Sequence, residues 1–199
     1  GTVIGPIGVS GTKALVVRAD GPGLGALGFP GTISDPQLSL YNASNQVIAS
    51  NDNWSSALTT TMASLGAFPF PASSLDAAAS QTVQPGNHSV IVSGVGSATG
   101  AVIAEIWDAA TTYTPASPRL INVSVLRQIV SGGDLQLGFT VNGSTATTVL
   151  IRVIGPGLGA VVPGITGTLS DPQLTLYSNN TGAVIATNDD WGADSQITT

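Results

Sequence analysis

Apolar residues in this chain fall in short runs, often alternating with polar ones, and seldom at helical spacing. The segments "TKALVVRAD" (12–20), "PQLSLYNA" (36–43), "QVIAS" (46–50), "HSVIVSGV" (88–95) and "GAVIAEIWD" (100–108) are bounded by Gly, Pro or Asn and rich in β-formers. That pattern predicts strands. "RLINVSVLRQIV" (119–130), "LQLGFTVNG" (135–143) and "TTVLIRVIG" (147–155) continue it. Asn42–Gln46 and Ser178–Gly182 read as hairpin turns, because Asn and Gly tolerate a positive φ. One stretch departs from the period of two. "SSALTTTMASLGAF" (55–68) predicts a short helix, capped by Ser55 or Ser56 and ended by Gly66, and "ASSLDAAAS" (72–80) suggests another turn. The fold class expected is all-β: antiparallel β-sandwich units, jelly-roll-like, with a short helical crossover.

The chain also repeats itself. "SDPQLSLYNASNQVIASNDNW" (34–54) returns as "SDPQLTLYSNNTGAVIATNDDW" (170–191). Upstream, "LVVRADGPGLGAL" from Leu15 matches "VLIRVIGPGLGAV" from Val149, so that Arg18 corresponds to Arg152 at an offset of 134 residues. The offset grows only in Gly/Pro- or Asn-rich stretches, where loops absorb insertions at little cost. The linker-like stretch is "AATTYTPASPR" (109–119), which sets a boundary near residue 114: a first unit over 1–113 and a second over 114–199. The first is expected to lack the leading segment "RLINVSVLRQIVSGGD", and the second everything that follows "NDDW" in the first copy.

Composition narrows the function classes. Charged residues make up 8% of the chain, against about a quarter in ordinary soluble domains. The net charge is −6, with Lys13, Arg18, Arg119, Arg127 and Arg152 the only bases. So few cations cannot neutralise a phosphate backbone, so nucleic acid is not an expected partner. No apolar run has the length of a membrane span, so membrane insertion is not expected either. Cysteine is absent, which removes disulfides and thiolate metal sites. A lysine-poor surface rich in Thr, Ser, Asn and Gly suggests an extracellular or cell-surface protein.

Candidate chemistry is sparse. The one histidine, His88, follows a turn at the start of a strand, and no serine sits in a Gly-x-Ser-x-Gly elbow. An enzyme is the weakest class. Asn51, Asp52 and Asn53, with Asn188, Asp189 and Asp190 in the second copy, offer clustered oxygens of the kind calcium takes. The competing expectation is that these groups cap turns while Trp54 and Trp191 cover an end of the sandwich. Tryptophans on a surface would also suit a sugar ring, giving a carbohydrate-binding module as the alternative class. Six Asn-x-Ser/Thr sequons, the first at Asn42, follow from composition by default. Arg18 and Arg152 stand in mid-strand among apolar residues, and a buried cation needs an anion. The mid-strand anion is Glu105, so an Arg18–Glu105 pair is expected, with no equivalent for Arg152. A cross-link from Lys13 to a neighbouring acid such as Glu105 is a further possibility.

The order "LINVSV…GGDLQLGFTVNG…VLIRVIGPGLG…DPQLTLY…VIATNDDW", continued by the first copy's "MASLGAF…HSVIVSGV…AEIWD", resembles a tandem repeat of roughly 135 residues. Such repeats occur in very large predicted secreted proteins of environmental bacteria. The part from "DPQLSLY" to "AEIWD" is similar, more remotely, to bacterial pre-peptidase C-terminal domains. The resemblance implies a secreted, modular, non-catalytic protein without a cofactor. Together with the unequal copies it leads to an expected structural repeat protein, completed head to tail by strands from copies of itself or neighbouring repeats. An extracellular filament or surface layer would result.

Overall fold

The computed structural model describes residues 1–5 and 9–190, and the chain divides into two compact units, Gly1–Val125 and Leu126–Thr199. The first unit holds β1 (Thr2–Gly5), β2 (Lys13–Asp20), α1 (Pro22–Ala26), β3 (Pro36–Tyr41), β4 (Val47–Asn51), a 3-10 turn (Ser56–Leu58) and α2 (Thr59–Ser64). It continues with β5 (Ala77–Val83), β6 (Gly86–Gly94), β7 (Ile103–Asp108) and β8 (Arg119–Val123). These strands form a five-stranded sheet in the order β4-β3-β6-β1-β8 and a three-stranded sheet in the order β5-β2-β7, every pair antiparallel. The all-β sandwich class is what the alternation predicts.

Period two explains how the sheets meet. Leu15, Val17 and Ala19 on β2 pack with Ile4, Leu38, Leu40, Val90 and Val92 of the other sheet. The opposite face of β2 is also covered, since Val16 and Ala78 pack with Met62, Ala67 and Phe70 from the helical crossover. A central strand buried on both faces reads as a near-continuous apolar run, and "LVVRA" is one. The crossover follows its sequence signals: Ser55 Oγ accepts from the Ala57 N–H at 3.3 Å, and Gly66 ends the helix at φ +80°. Residues 77–80 turn into β5 rather than a further helical turn, because Ala77–Val83 zips against β2 along its whole length.

The unit boundary falls at Val125, downstream of the linker over 109–119, for one reason. β8 belongs by sequence to the second copy, but pairs with β1, with Val3 opposite Asn122 and Gly5 opposite Arg119. Leu120 packs beside Ile4 and Leu15. The place beside β1 is thus filled by the leading segment of the second copy.

The second unit contains α3 (Leu158–Val161) and an antiparallel hairpin of β9 (Leu174–Tyr177) and β10 (Val184–Asn188), turned at Gly182 with φ +68°. These repeat α1, β3 and β4. Residues 124–157 hold no strand, although 135–143 and 147–155 carry strand periodicity. A strand needs neighbours for its N–H and C=O groups. β2 has β5 and β7 on its two sides, and no strand of their sequence occurs within 126–190. Val16 is fully buried, whereas its counterpart Leu150 is 69% exposed.

Candidate functional site

The best-organised polar cluster lies under the crossover, on the face of β2 opposite the five-stranded sheet. Arg18 and Glu105 are register partners across β2 and β7. Arg18 Nε lies 3.3 Å from Glu105 Oε2, and Arg18 Nη2 lies 3.2 Å from Asp20 Oδ2. The Arg18 side chain is 0% exposed. Its guanidinium carbon stands 4.5 Å from the Phe68 ring centre and 4.1 Å from that of Phe70, giving two cation–π contacts. Trp107 Nε1 donates to Glu105 Oε2 at 3.2 Å, which orients the carboxylate. The expected Arg18–Glu105 pair is therefore present.

Two carboxylates against one guanidinium leave an excess negative charge in a largely buried site, and protonation relieves it. Burial, and next the neighbouring Glu105, push the Asp20 carboxyl up to about 9, with Arg18 pulling the other way. At neutral pH Asp20 therefore tends to hold its proton in this site. Asp20 lies two residues beyond Arg18 on the same face of the strand, so the alternation that placed Arg18 could have identified it.

Asp76 was not foreseen. It is fully buried, and its Oδ1 accepts from the Gly21 and Gly23 N–H groups at 2.7 and 3.0 Å while Oδ2 accepts from Gly23 at 2.8 Å. The carboxylate ties the Gly-Pro-Gly turn to the start of β5. Gly21 is needed there because a Cβ would collide with the carbonyl oxygen of Ile33, and Gly155 meets Leu169 in the same way. The close approach at the first glycine of the turn is therefore the same in both units.

In the asparagine–aspartate loops the leading asparagine of each copy bonds backbone groups. Asn51 Oδ1 accepts from Ala78 N–H and its Nδ2 donates to the Asn53 carbonyl, both at 2.9 Å, while Asp52 and Asn53 are exposed. In the second unit Asn188 Nδ2 donates to the Asp190 carbonyl at 3.3 Å, and Asp189 and Asp190 are exposed. Among the described residues no three His, Cys, Asp or Glu side chains gather as a metal site. Trp54 is half-buried, edge-on to Phe70 at 5.6 Å, and packed on the crossover cluster, which suits a structural role better than a sugar platform. Trp191 lies outside the described residues.

Lys13 is buried beside Asp108, not Glu105, with Nζ at 2.8 and 3.0 Å from the carboxylate oxygens and 5.0 Å from the Tyr113 ring centre. His88 is buried on β6, its Nδ1 3.2 Å from the Gly86 carbonyl. Arg152 is exposed and forms no ion pair among the described residues. No described helix is long and apolar enough to cross a membrane. No protein-family model matches the sequence, and no curated protein or solved structure was found to be similar to it.

Proposed function

We propose that this chain is a non-catalytic, extracellular structural repeat protein, and that its units are completed by strands from neighbouring repeats to build a filament or surface layer. The observation that carries this reading is the opposite fate of two matching segments. Leu15 and Ala19 on β2 are fully buried between partner strands, while their counterparts Val149 and Val153 are 45% and 46% exposed. Each large apolar side chain left in water forgoes about 1.5–3 kcal/mol of burial. A row of them on a strand-forming segment is the kind of surface that soluble proteins use for assembly.

β8 supports the same reading from the other side, since the leading segment of one copy already closes the sandwich of the other. The chain contains two front halves and one trailing half, the latter spent on the first unit. Strands matching β5 and β7 are not found among the described residues of the second unit, and a further repeat of the same kind would carry them. The polar clusters fit this role, because their carboxylates, cations and asparagine amides are mostly engaged with each other or with backbone groups.

Immunogold electron microscopy of the source cells with antibodies against the purified chain tests the reading. Label along linear or layered structures outside the cell is the expected result. Label confined to the cytoplasm would overturn it.

A further inference from the structure

We propose that the segment Val149–Ile154 is an acceptor for the trailing half of a neighbouring repeat, and that a carboxylate on the incoming strand, placed as Glu105 is, selects it by pairing with Arg152. This inference rests on the proposed function and specifies the joint on which it depends.

The first unit provides the template. β2 receives β5 on one side and β7 on the other, and Arg18 meets Glu105 directly across the β2–β7 ladder. The second unit reproduces the front of that arrangement. Gly155 packs against the Leu169 carbonyl as Gly21 does against that of Ile33, and the β9–β10 hairpin repeats β3–β4. What differs is the charge. Asp20 corresponds to Ile154, so Arg152 has no carboxylate two residues along its own segment. In the first unit Glu105 shares Arg18 with Asp20, and one proton settles the surplus. In the second unit a single incoming carboxylate would match Arg152 one to one.

The cation also imposes selectivity. Docking a strand pair over Leu150 and Arg152 takes the guanidinium out of water, which is costly unless an anion arrives with it. A strand pair lacking an acid at that register is rejected, and one carrying it is admitted. The occupant is thus a repeat's trailing half, with the aromatic pair Phe68 and Phe70 covering the arginine and Glu105 facing it, as in the first unit.

A synthetic peptide of residues 55–109, titrated against the intact chain by fluorescence anisotropy, tests the proposal. Saturable binding is expected, weakened at least tenfold by Arg152→Glu in the chain or by Glu105→Arg in the peptide. Combining the two reversed partners should recover most of the loss. No saturable binding, or equal binding by the wild-type and Arg152→Glu chains, would overturn the proposal. Extracellular labelling by the antibody would still stand in that case. Peptide binding with label confined to the cytoplasm would instead sink the proposed function alone.

Discussion

Arg18 and Glu105 face each other across β2 and β7, 3.3 Å apart, with Asp20 as a second acid on the same guanidinium. The two acids can substitute for one another. In Glu105→Ala, Asp20 loses one of the influences that favour its proton and remains beside Arg18 as its other acid. The loss expected in chemical denaturation is therefore about 2 kcal/mol, below the ~3–5 kcal/mol typical of a broken buried pair. Asp20→Asn with Glu105→Ala leaves Arg18 unpaired and should cost clearly more than the two single changes added together. Arg152→Ala, at the exposed counterpart, should change stability by less than ~0.5 kcal/mol.

The raised Asp20 carboxyl sets a direction for pH. The folded state holds this proton up to about 9, whereas the unfolded chain releases it near the ordinary carboxyl value of 3.8. Between these limits the folded state binds more protons, so this contribution is full at acid pH and is lost as pH rises through 9. Melting temperature should fall between pH 5 and pH 9.5. Asp20→Asn should flatten that slope; an equally steep slope in the variant would assign it to other groups.

Asp76 makes a second, independent prediction. Asp76→Ala strands the buried Gly21 and Gly23 N–H groups, each worth about 1–3 kcal/mol when left unsatisfied. A loss of roughly 2–4 kcal/mol is expected by urea titration. Hydrogen exchange should show the turn at 21–26 loosening before the β3–β4 hairpin.

Closure of the first unit by β8 can be read from truncations. A chain ending at Val125 should melt cooperatively, since all strands of both sheets are present. A chain ending at Tyr113 exposes the edge of β1 and removes Leu120 from its place beside Ile4. Its stability should be lower by about 2 kcal/mol, the low end for losing a packed leucine. Equal stability of the two fragments would make β8 dispensable.

Local signals carried far where local physics decides. Most strands of the first unit, the Asn42 hairpin and the Ser55-capped crossover follow from period, turn chemistry and capping, though the start of β5 (Ala77–Val83) reads in the sequence as a helical turn. The Arg18–Glu105 pair follows from the need of a buried cation for an anion. Pairing over distance was less legible. Nothing in "RLINV" tells whether it joins the strand before or after it, because backbone hydrogen bonds accept either neighbour. "VLIRV" has the same period as "LVVRA" but forms no strand, since strand structure depends on the flanking chains and not on the segment alone. Asp76 escaped notice because its partners are backbone N–H groups more than fifty residues away, which leave no trace in side-chain pattern. The asparagine–aspartate loops carry two readings in the sequence, because an amide that ties down a backbone and one that binds calcium have the same composition.

Amide hydrogen exchange, read by mass spectrometry on the intact chain at low micromolar concentration, compares residues 13–20 with 147–154 most directly. Slow exchange in the first segment and fast exchange in the second are predicted, because one is a central strand and the other an unfilled acceptor. Equal protection of the two segments in a monomeric chain would contradict the account.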